Sequence, residues 1–269
     1  MIPIKSLDQI KAMRESCAIA ANVLSKLSKL IAPGVNTYDL DQEGKRLIES
    51  YGAQSACFNY PNGSLRFPSY TCLSVNDEIV HGIGSLRRVL HEGDIISLDI
   101  AIIYNGWIGD NARTFGVGEV KERDLYLLTA TEDALFCAID QARSGNRVGY
   151  ISNAVESFIA PKGLGIVRDF VGHGVGRSMH EAPQIPNYGP RKRGDKLRPG
   201  MILAIEPMIT LGSPRVTMGS DGWTALTTDG KSAAHFEHSV LITREGPEIL
   251  TIPDEGLPER GQFRGGMSC

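Results

Sequence analysis

Residues 92–110 read EGDIISLDIAIIYNGWIGD, and the rest of the chain is organised around this stretch. Asn105-Gly106 is the strongest short signal for a two-residue hairpin turn, because both central residues of that turn take positive φ. With these two in the loop, Tyr104 stands opposite Trp107 and Ala101 opposite Asp110. Side chains alternate along a strand, so Asp99 shares a face with Ala101. Asp99 and Asp110 are then diagonal cross-strand neighbours, within reach of one shared object. Ile96, Leu98, Ile100 and Ile102 form the opposite face, which reads as core, while Ser97, Ala101 and Ile103 accompany Asp99. Two ionised carboxylates beside a core are costly unless a proton, a basic partner or metal ions compensate them. The plainer alternative is an aspartate pair at the solvated end of a hairpin, and this stretch alone leaves both open.

The chain has 269 residues, room for a large core and for one or two domains. A charged fraction of 22% and a hydrophobic fraction of 42% are those of an ordinary soluble protein. The net charge of −3 gives no bulk pull toward nucleic acid or a membrane surface. The N-terminal residues MIPIKSLDQIKAMRES lack the apolar core of a signal peptide, and no apolar run is long enough to span a bilayer. Cys17, Cys57, Cys72, Cys137 and Cys269 are odd in number and scattered, with no CxxC. Reduced thiols in a cytoplasm fit this pattern, and a disulfide frame or a cysteine zinc site does not.

Ser6 and Gln9 predict a capping box for a helix over 6–31, with Ile10, Met13, Cys17, Ala20, Leu24 and Leu27 at helical spacing. A second helix is predicted from Tyr38, capped by Thr37, to Tyr51. An irregular stretch with Tyr60, Phe67 and Tyr70 follows, then a short strand over 72–75, and His81 beside Gly82. After the hairpin, 123–143 and 148–160 read as helices. Helix, helix, strands, then helix, helix, strands is an α+β order with a duplication in it. Gly93-Asp-Ile-Ile-Ser-Leu-Asp99 can indeed be laid on Gly200-Met-Ile-Leu-Ala-Ile-Glu206. Each is a glycine, an apolar strand, and an acid six residues on.

Further motifs lie in the second half. FVGHGVGRSMHE (170–181) carries His173 and His180 among glycines, which let backbone pass close to other groups. Arg191, Lys192, Arg193, Lys196 and Arg198 form a basic loop, and most such runs are solvated. Pro207 pushes Glu206 into extended geometry. Asp221-Gly222 and Asp229-Gly230 mark turns around Trp223. AAHFEHSVLIT reads as one strand, with His235, Glu237 and Ser239 on one face. Residues 253–269 read as a disordered tail, after a single domain over 1–252.

Asp99, Asp110, His173, Glu206 and Glu237 lack an easy structural excuse. Four carboxylates and one imidazole suit Mn²⁺, Fe²⁺, Co²⁺ or Zn²⁺, and two such ions can clamp a water and polarise a carbonyl. The residues by themselves lead as far as a dinuclear hydrolase.

The LDIA strand with Asp99, the Gly109-Asp110 turn, GHGVGRSMHEAPQIPNY, AIEP with Glu206 and the FEHSV strand with Glu237 together resemble the type I methionine aminopeptidases, of the M24 metallopeptidases. The resemblance runs from the first helix to about Ile252. It implies the pita-bread α+β fold, two pseudo-symmetric halves, and removal of the N-terminal methionine from nascent chains when the second residue is small. It implies two divalent metal ions (Co, Mn, Fe or Zn) and a water bridging them. Asp110 and Glu237 would be shared by both ions, Asp99 would serve one, and His173 with Glu206 the other. Glu206 would act as base, and His81 and His180 would touch the scissile amide and carbonyl. The methionine pocket would fall on Cys57, Tyr60, Phe67, Cys72 and Trp223, with Met179 at its edge. Two departures bear on that pocket: a longer segment between Tyr60 and Phe67, and Met179 where an aromatic is often found.

The short interval from His180 to Glu206 leaves no room for the insertion of type II members. A monomer is expected, with no membrane or specific nucleic-acid partner; contact with the ribosome would fall to the basic loop. Prolidases and aminopeptidases P share the fold and ligands but usually carry a preceding domain. Non-enzymatic pita-bread binding proteins have typically lost ligands, and none is missing here.

Overall fold

A computed structural model describes residues 2–256 of the chain. The hairpin lies at its centre. Strands Ile95–Tyr104 and Trp107–Gly116 pair in the expected register, Tyr104 with Trp107 and Ala101 with Asp110. Asn105 (φ 50°) and Gly106 (φ 76°) both take the left-handed conformation, as the two-residue turn requires. Ile96, Leu98, Ile100 and Ile102 are fully buried. They pack with Leu24, Leu27, Leu40 and Ile48 of helices α1 (Leu7–Ser28) and α2 (Thr37–Ser50). Each such side chain contributes about 1.5–3 kcal/mol on burial, so this face holds the hairpin against the helices and turns Asp99 the other way.

The capping box of α1 forms as its residues predict: the Gln9 N–H donates to Ser6 Oγ, and the Ser6 N–H to Gln9 Oε1. The cap of α2 is Asn36, one residue before the expected Thr37; its side chain accepts from the Asp39 N–H at 2.8 Å. Thr37 is committed elsewhere, its hydroxyl accepting from the Ser85 N–H at 2.9 Å. Gly109-Asp110 is not a turn. Both residues lie inside Trp107–Gly116, where α1 crosses so closely that a Cβ on Gly109 would stand 2.2 Å from the Ser16 carbonyl.

The duplication extends well beyond the matched strands. Helices α3 (Glu122–Gln141) and α4 (Val148–Ile159) repeat α1 and α2, and Gly172–Gly174 and Ile202–Ile205 repeat Cys72–Val75 and Ile95–Tyr104. Gly93 and Gly200 share nearly one φ, 87° and 89°. The residues before α2 and α4 make matching bridges, Asn36 with Val89 and Arg147 with Lys196. The Gly34 N–H donates to the Leu90 carbonyl and the Gly145 N–H to the Leu197 carbonyl, at 2.8 and 3.0 Å. This is the two-half pita-bread architecture. The second half carries its own core, where Leu127, Leu135, Ile151 and Val155 of the helices meet Leu203, Ile205 and Val240 of the strands.

In the second half Glu181–Ile185, Gly172–Gly174, Ile202–Ile205, His238–Ile242 and Pro247–Ile249 form one antiparallel sheet. Ala233–His235 pairs with Met208–Thr210 in another. The expected single strand 233–243 is therefore split at Phe236-Glu237, because its two parts serve different sheets. Glu237 itself bridges to Ala112 of the hairpin. Of the tail, Asp254 and Glu255 lie on α1. The Asp254 N–H donates to Asn22 Oδ1 at 2.8 Å, and Glu255 pairs with Lys29. The rest of the tail, 257–269, lies outside the described residues.

Candidate active site

Strand alternation carries Asp99 and Asp110 to the hairpin face that looks at the second half. His173 comes from Gly172–Gly174, paired with Ala204 on one side and Gln184 on the other. Glycines flank it because neighbouring backbone is too close for a side chain. A Cβ at Gly172 would stand 2.4 Å from the Ala204 carbonyl, and one at Gly174 2.3 Å from the Ala182 carbonyl. Glu206 follows Ile202–Ile205 at the point where Pro207 ends the ladder, and Asn187 Nδ2 donates to its carbonyl at 3.0 Å.

All thirteen residues given a site role in the sequence line one cavity of about 160 Å³. One wall is ionic and the other apolar. On the ionic wall, the nearest-set ligand atoms belong to Asp110, His173 and Glu237, all within 4.8 Å of one another. His173 Nε2 is 3.3 Å from Glu206 Oε1 and 4.0 Å from Asp110 Oδ2. Burial pushes Asp99 up to about 6, with His235 opposing and Glu206 adding to the shift. Burial likewise pushes Asp110, Glu206 and Glu237 well above the usual carboxylate range. On the apolar wall, Phe67 and Trp223 meet edge to face with centroids 5.2 Å apart, beside the free, buried thiols of Cys57 and Cys72.

The longer segment after Tyr60 is a small hairpin of Pro61–Asn62 with Leu65–Arg66, exposed throughout. It leaves and returns at one place, where the Phe67 N–H donates to the Tyr60 carbonyl at 3.0 Å. Tyr60 and Phe67 thus both stay on the cavity despite the extra length.

His180 stands at the mouth, its Nδ1 2.7 Å from the Tyr60 hydroxyl and its ring 4.5 Å from that of His173. The loop before it wraps the Glu181 carboxylate, which accepts from the Arg177 N–H at 2.9 Å and the Lys5 ammonium at 2.7 Å. His81 faces it with φ 61°, a conformation that costs a residue with a side chain about 1–3 kcal/mol. The Phe170 ring lies edge-on to its imidazole at 5.3 Å. Burial lowers His81 and His173 to about 4, with neighbouring imidazoles adding.

A model of metallopeptidase family M24 matches residues 11–244. The chain belongs to this family. Its M24 relatives include a methionine aminopeptidase of Clostridium acetobutylicum, 45% identical over 252 residues, 94% of this chain and 99% of the relative. Methionine aminopeptidase 1 of Bacillus subtilis is 46% identical over 251 residues, 93% and 99% of the two chains. The crystal structure of an M24 methionine aminopeptidase from Thermotoga maritima superposes with a TM-score of 0.89 at 42% identity, covering 93% of this chain and 99% of that one.

The residues of this M24 site fit a bound cation. The His173 Nδ1–H donates to the Gly174 carbonyl at 3.0 Å, which leaves the lone pair on Nε2. That lone pair points at the carboxylates of Glu206 and Asp110, an arrangement a cation resolves. Among the described residues Glu237 Oε1 is buried without a hydrogen-bond partner, a state that a bound ion would relieve. Among the described residues, no helix is long and apolar enough to cross a membrane.

Val80, Phe170, Val171, Met208 and His235 also line the cavity and were not singled out in the sequence. His235 and Met208 carried a signal: each is two residues from a proposed ligand, Glu237 and Glu206, and alternation puts such pairs on one face. Phe170 and Val171 carried none beyond their place in the glycine-rich stretch.

Proposed function

We propose that this chain removes the N-terminal methionine of nascent proteins and peptides whose second residue is small. The observation that carries this is the cavity itself, where an apolar wall shares one small volume with four carboxylates and an imidazole. Burying the methionine side chain there gains about 1.5–3 kcal/mol, enough to prefer Met to Ala at the first position.

Asp99, Asp110, His173, Glu206 and Glu237 would hold two divalent ions, Co, Mn, Fe or Zn, with Asp110 and Glu237 shared between them. Bound, these ions supply Lewis-acid polarisation of the scissile carbonyl and a more acidic water. Glu206 takes the proton of the attacking water as general base. With Nδ1 facing the Tyr60 hydroxyl, His180 carries its proton on Nε2 when Tyr60 donates, and so presents a donor to the developing oxyanion. His81 contacts the scissile amide. Asp99 is the nearest anion for the free α-amine, which restricts action to chain ends. The second residue sits between His81 and the loop bearing Met179, where Lys or Leu finds little room.

The catalytic unit is residues 1–252, acting as a monomer in the cytoplasm. The exposed basic loop 191–198 is proposed to touch ribosomal RNA, and loss of ribosome co-sedimentation on charge reversal tests this. The function is tested by kcat/KM for Met-Ala-Ser, Met-Leu-Ser and Ala-Pro-Ala peptides across divalent metals. Met-Ala-Ser should be the best substrate. Equal cleavage of Met-Leu-Ser would remove the size filter, and preference for Ala-Pro-Ala would move the chain to the prolidase side of M24.

A further inference from the structure

His235 has no place in the roles above, and its surroundings are unusual. It is 2% exposed, and among the described residues neither ring nitrogen has a hydrogen-bond partner. A buried polar group left so is destabilising, where a leucine of similar size would not be. Its Nε2 stands 3.5 Å from Glu206 Oε2, on the carboxylate oxygen opposite the one that faces His173.

The backbone explains how the ring comes there. Met208 and His235 are paired in an antiparallel ladder. Continuing that ladder puts Glu206 diagonal to His235 on one face, the relation Asp99 has to Asp110. The His235 backbone is held from the other half of the molecule. Its N–H donates to Thr114 Oγ1 at 2.9 Å, and Thr114 Oγ1 donates to its carbonyl at 2.9 Å. Thr114 Oγ1 is in turn 2.8 Å from Ser97 Oγ. A hydroxyl pair on the hairpin thus fixes the backbone from which the ring reaches Glu206.

We propose that His235 is the positioning residue of Glu206: its Nε2–H donates to Oε2 and holds the carboxylate with Oε1 toward His173. This rests on Glu206 being a metal ligand and base. Outer partners of this kind typically set metal affinity or activity by ~10–100-fold.

The test compares His235→Leu, which keeps the bulk and removes the donor, with His235→Gln, which keeps an N–H donor. His235→Leu should lower kcat on Met-Ala-Ser by ~10–100-fold and weaken Mn²⁺ binding by a similar factor in a calorimetric titration. KM should hold within ~3-fold. His235→Gln should recover kcat and Mn²⁺ affinity to within ~3-fold of the parent. Lower Tm with unchanged kcat and Mn²⁺ affinity in His235→Leu would mean packing alone and overturn the proposal. So would a change confined to KM, the mark of a substrate contact, or a folded His235→Gln as impaired as His235→Leu. Glu206→Gln separates the two levels. Full activity there removes the assignment of Glu206 and this inference with it; an inactive Glu206→Gln beside an unimpaired His235→Leu overturns the inference alone.

Discussion

The Glu237 N–H donates to the Ala112 carbonyl at 2.8 Å, and this bridge joins the second half of the molecule to the hairpin of the first. Ala112 shares a strand face with Asp110, two residues away. Ser239, two residues on from Glu237, donates its hydroxyl to the Asp110 carbonyl at 2.8 Å. The two carboxylates proposed to be shared between metal ions are thus set side by side by backbone hydrogen bonding. The buried Oε1 of Glu237 faces the site with no hydrogen-bond partner among the described residues.

Asp110→Asn and Glu237→Gln should each remove most activity, since each takes a formal charge from both cations. The loss should be at least the ~10–100-fold seen when a mere outer partner of a metal ligand is removed. Bound metal, measured by elemental analysis, should fall with it. Wild-type turnover with full metal content in either variant would refute the shared-ligand assignment.

His81→Ala and His180→Ala should behave differently. Each should lower kcat by ~10²-fold or more, the usual scale for a lost proton donor or oxyanion contact, while metal content stays whole. Loss of metal from His180→Ala would reassign it as a ligand.

The buried carboxylates set a pH dependence that can be signed. Burial raises Asp99 from 3.8 in the unfolded chain to about 6. Within that window the folded state holds more protons than the unfolded state, so the contribution to stability is present below it and is lost as pH rises through it. Asp110, Glu206 and Glu237 are raised too and act in the same direction. Divalent ions compete with those protons. In chelator, thermal unfolding should move to lower temperature as pH rises across the window. Added Mn²⁺ should stabilise more above the window than below it. A metal-independent pH profile would show that these groups do not meet a cation.

Gly174→Ala should destabilise the fold by about 2–3 kcal/mol or more, because its Cβ would stand 2.3 Å from a backbone carbonyl and rigid backbone must move. Since His173 is the adjacent residue, metal affinity should fall as well. Urea midpoints and metal content of this variant against Gly34→Ala provide the check. Gly34 has open space around it, so only its positive φ is penalised there, and the smaller loss should leave metal content intact.

Much of the fold was legible because local chemistry carries it. The Asn105-Gly106 turn selects one register, and that register alone makes Asp99 and Asp110 diagonal. The Ser6 and Gln9 cap and the apolar spacing of α1 are equally local. The glycine-to-acid match of 93–99 with 200–206 was a faint trace of a symmetry that the structure shows in bridges, turns and helices alike. The split at Phe236-Glu237 was not legible, because both pieces alternate like a single strand and only their partners differ. Nor was Gly109, which looks like a turn residue and is a strand residue under a helix backbone.

By itself, then, the sequence determined the elements, their order in two halves and the residue types of the site, since turns, caps and alternation depend on neighbours a few positions away. Tertiary structure decided which of those residues share one cavity. It decided that the extra length after Tyr60 loops outward without moving Tyr60 or Phe67 from the cavity. It also decided that His235, which alternation sets on one strand face with Glu237, faces Glu206. Most of these are relations between residues tens to more than a hundred positions apart. No local preference encodes them, because they follow from how two separately stabilised halves close on one another.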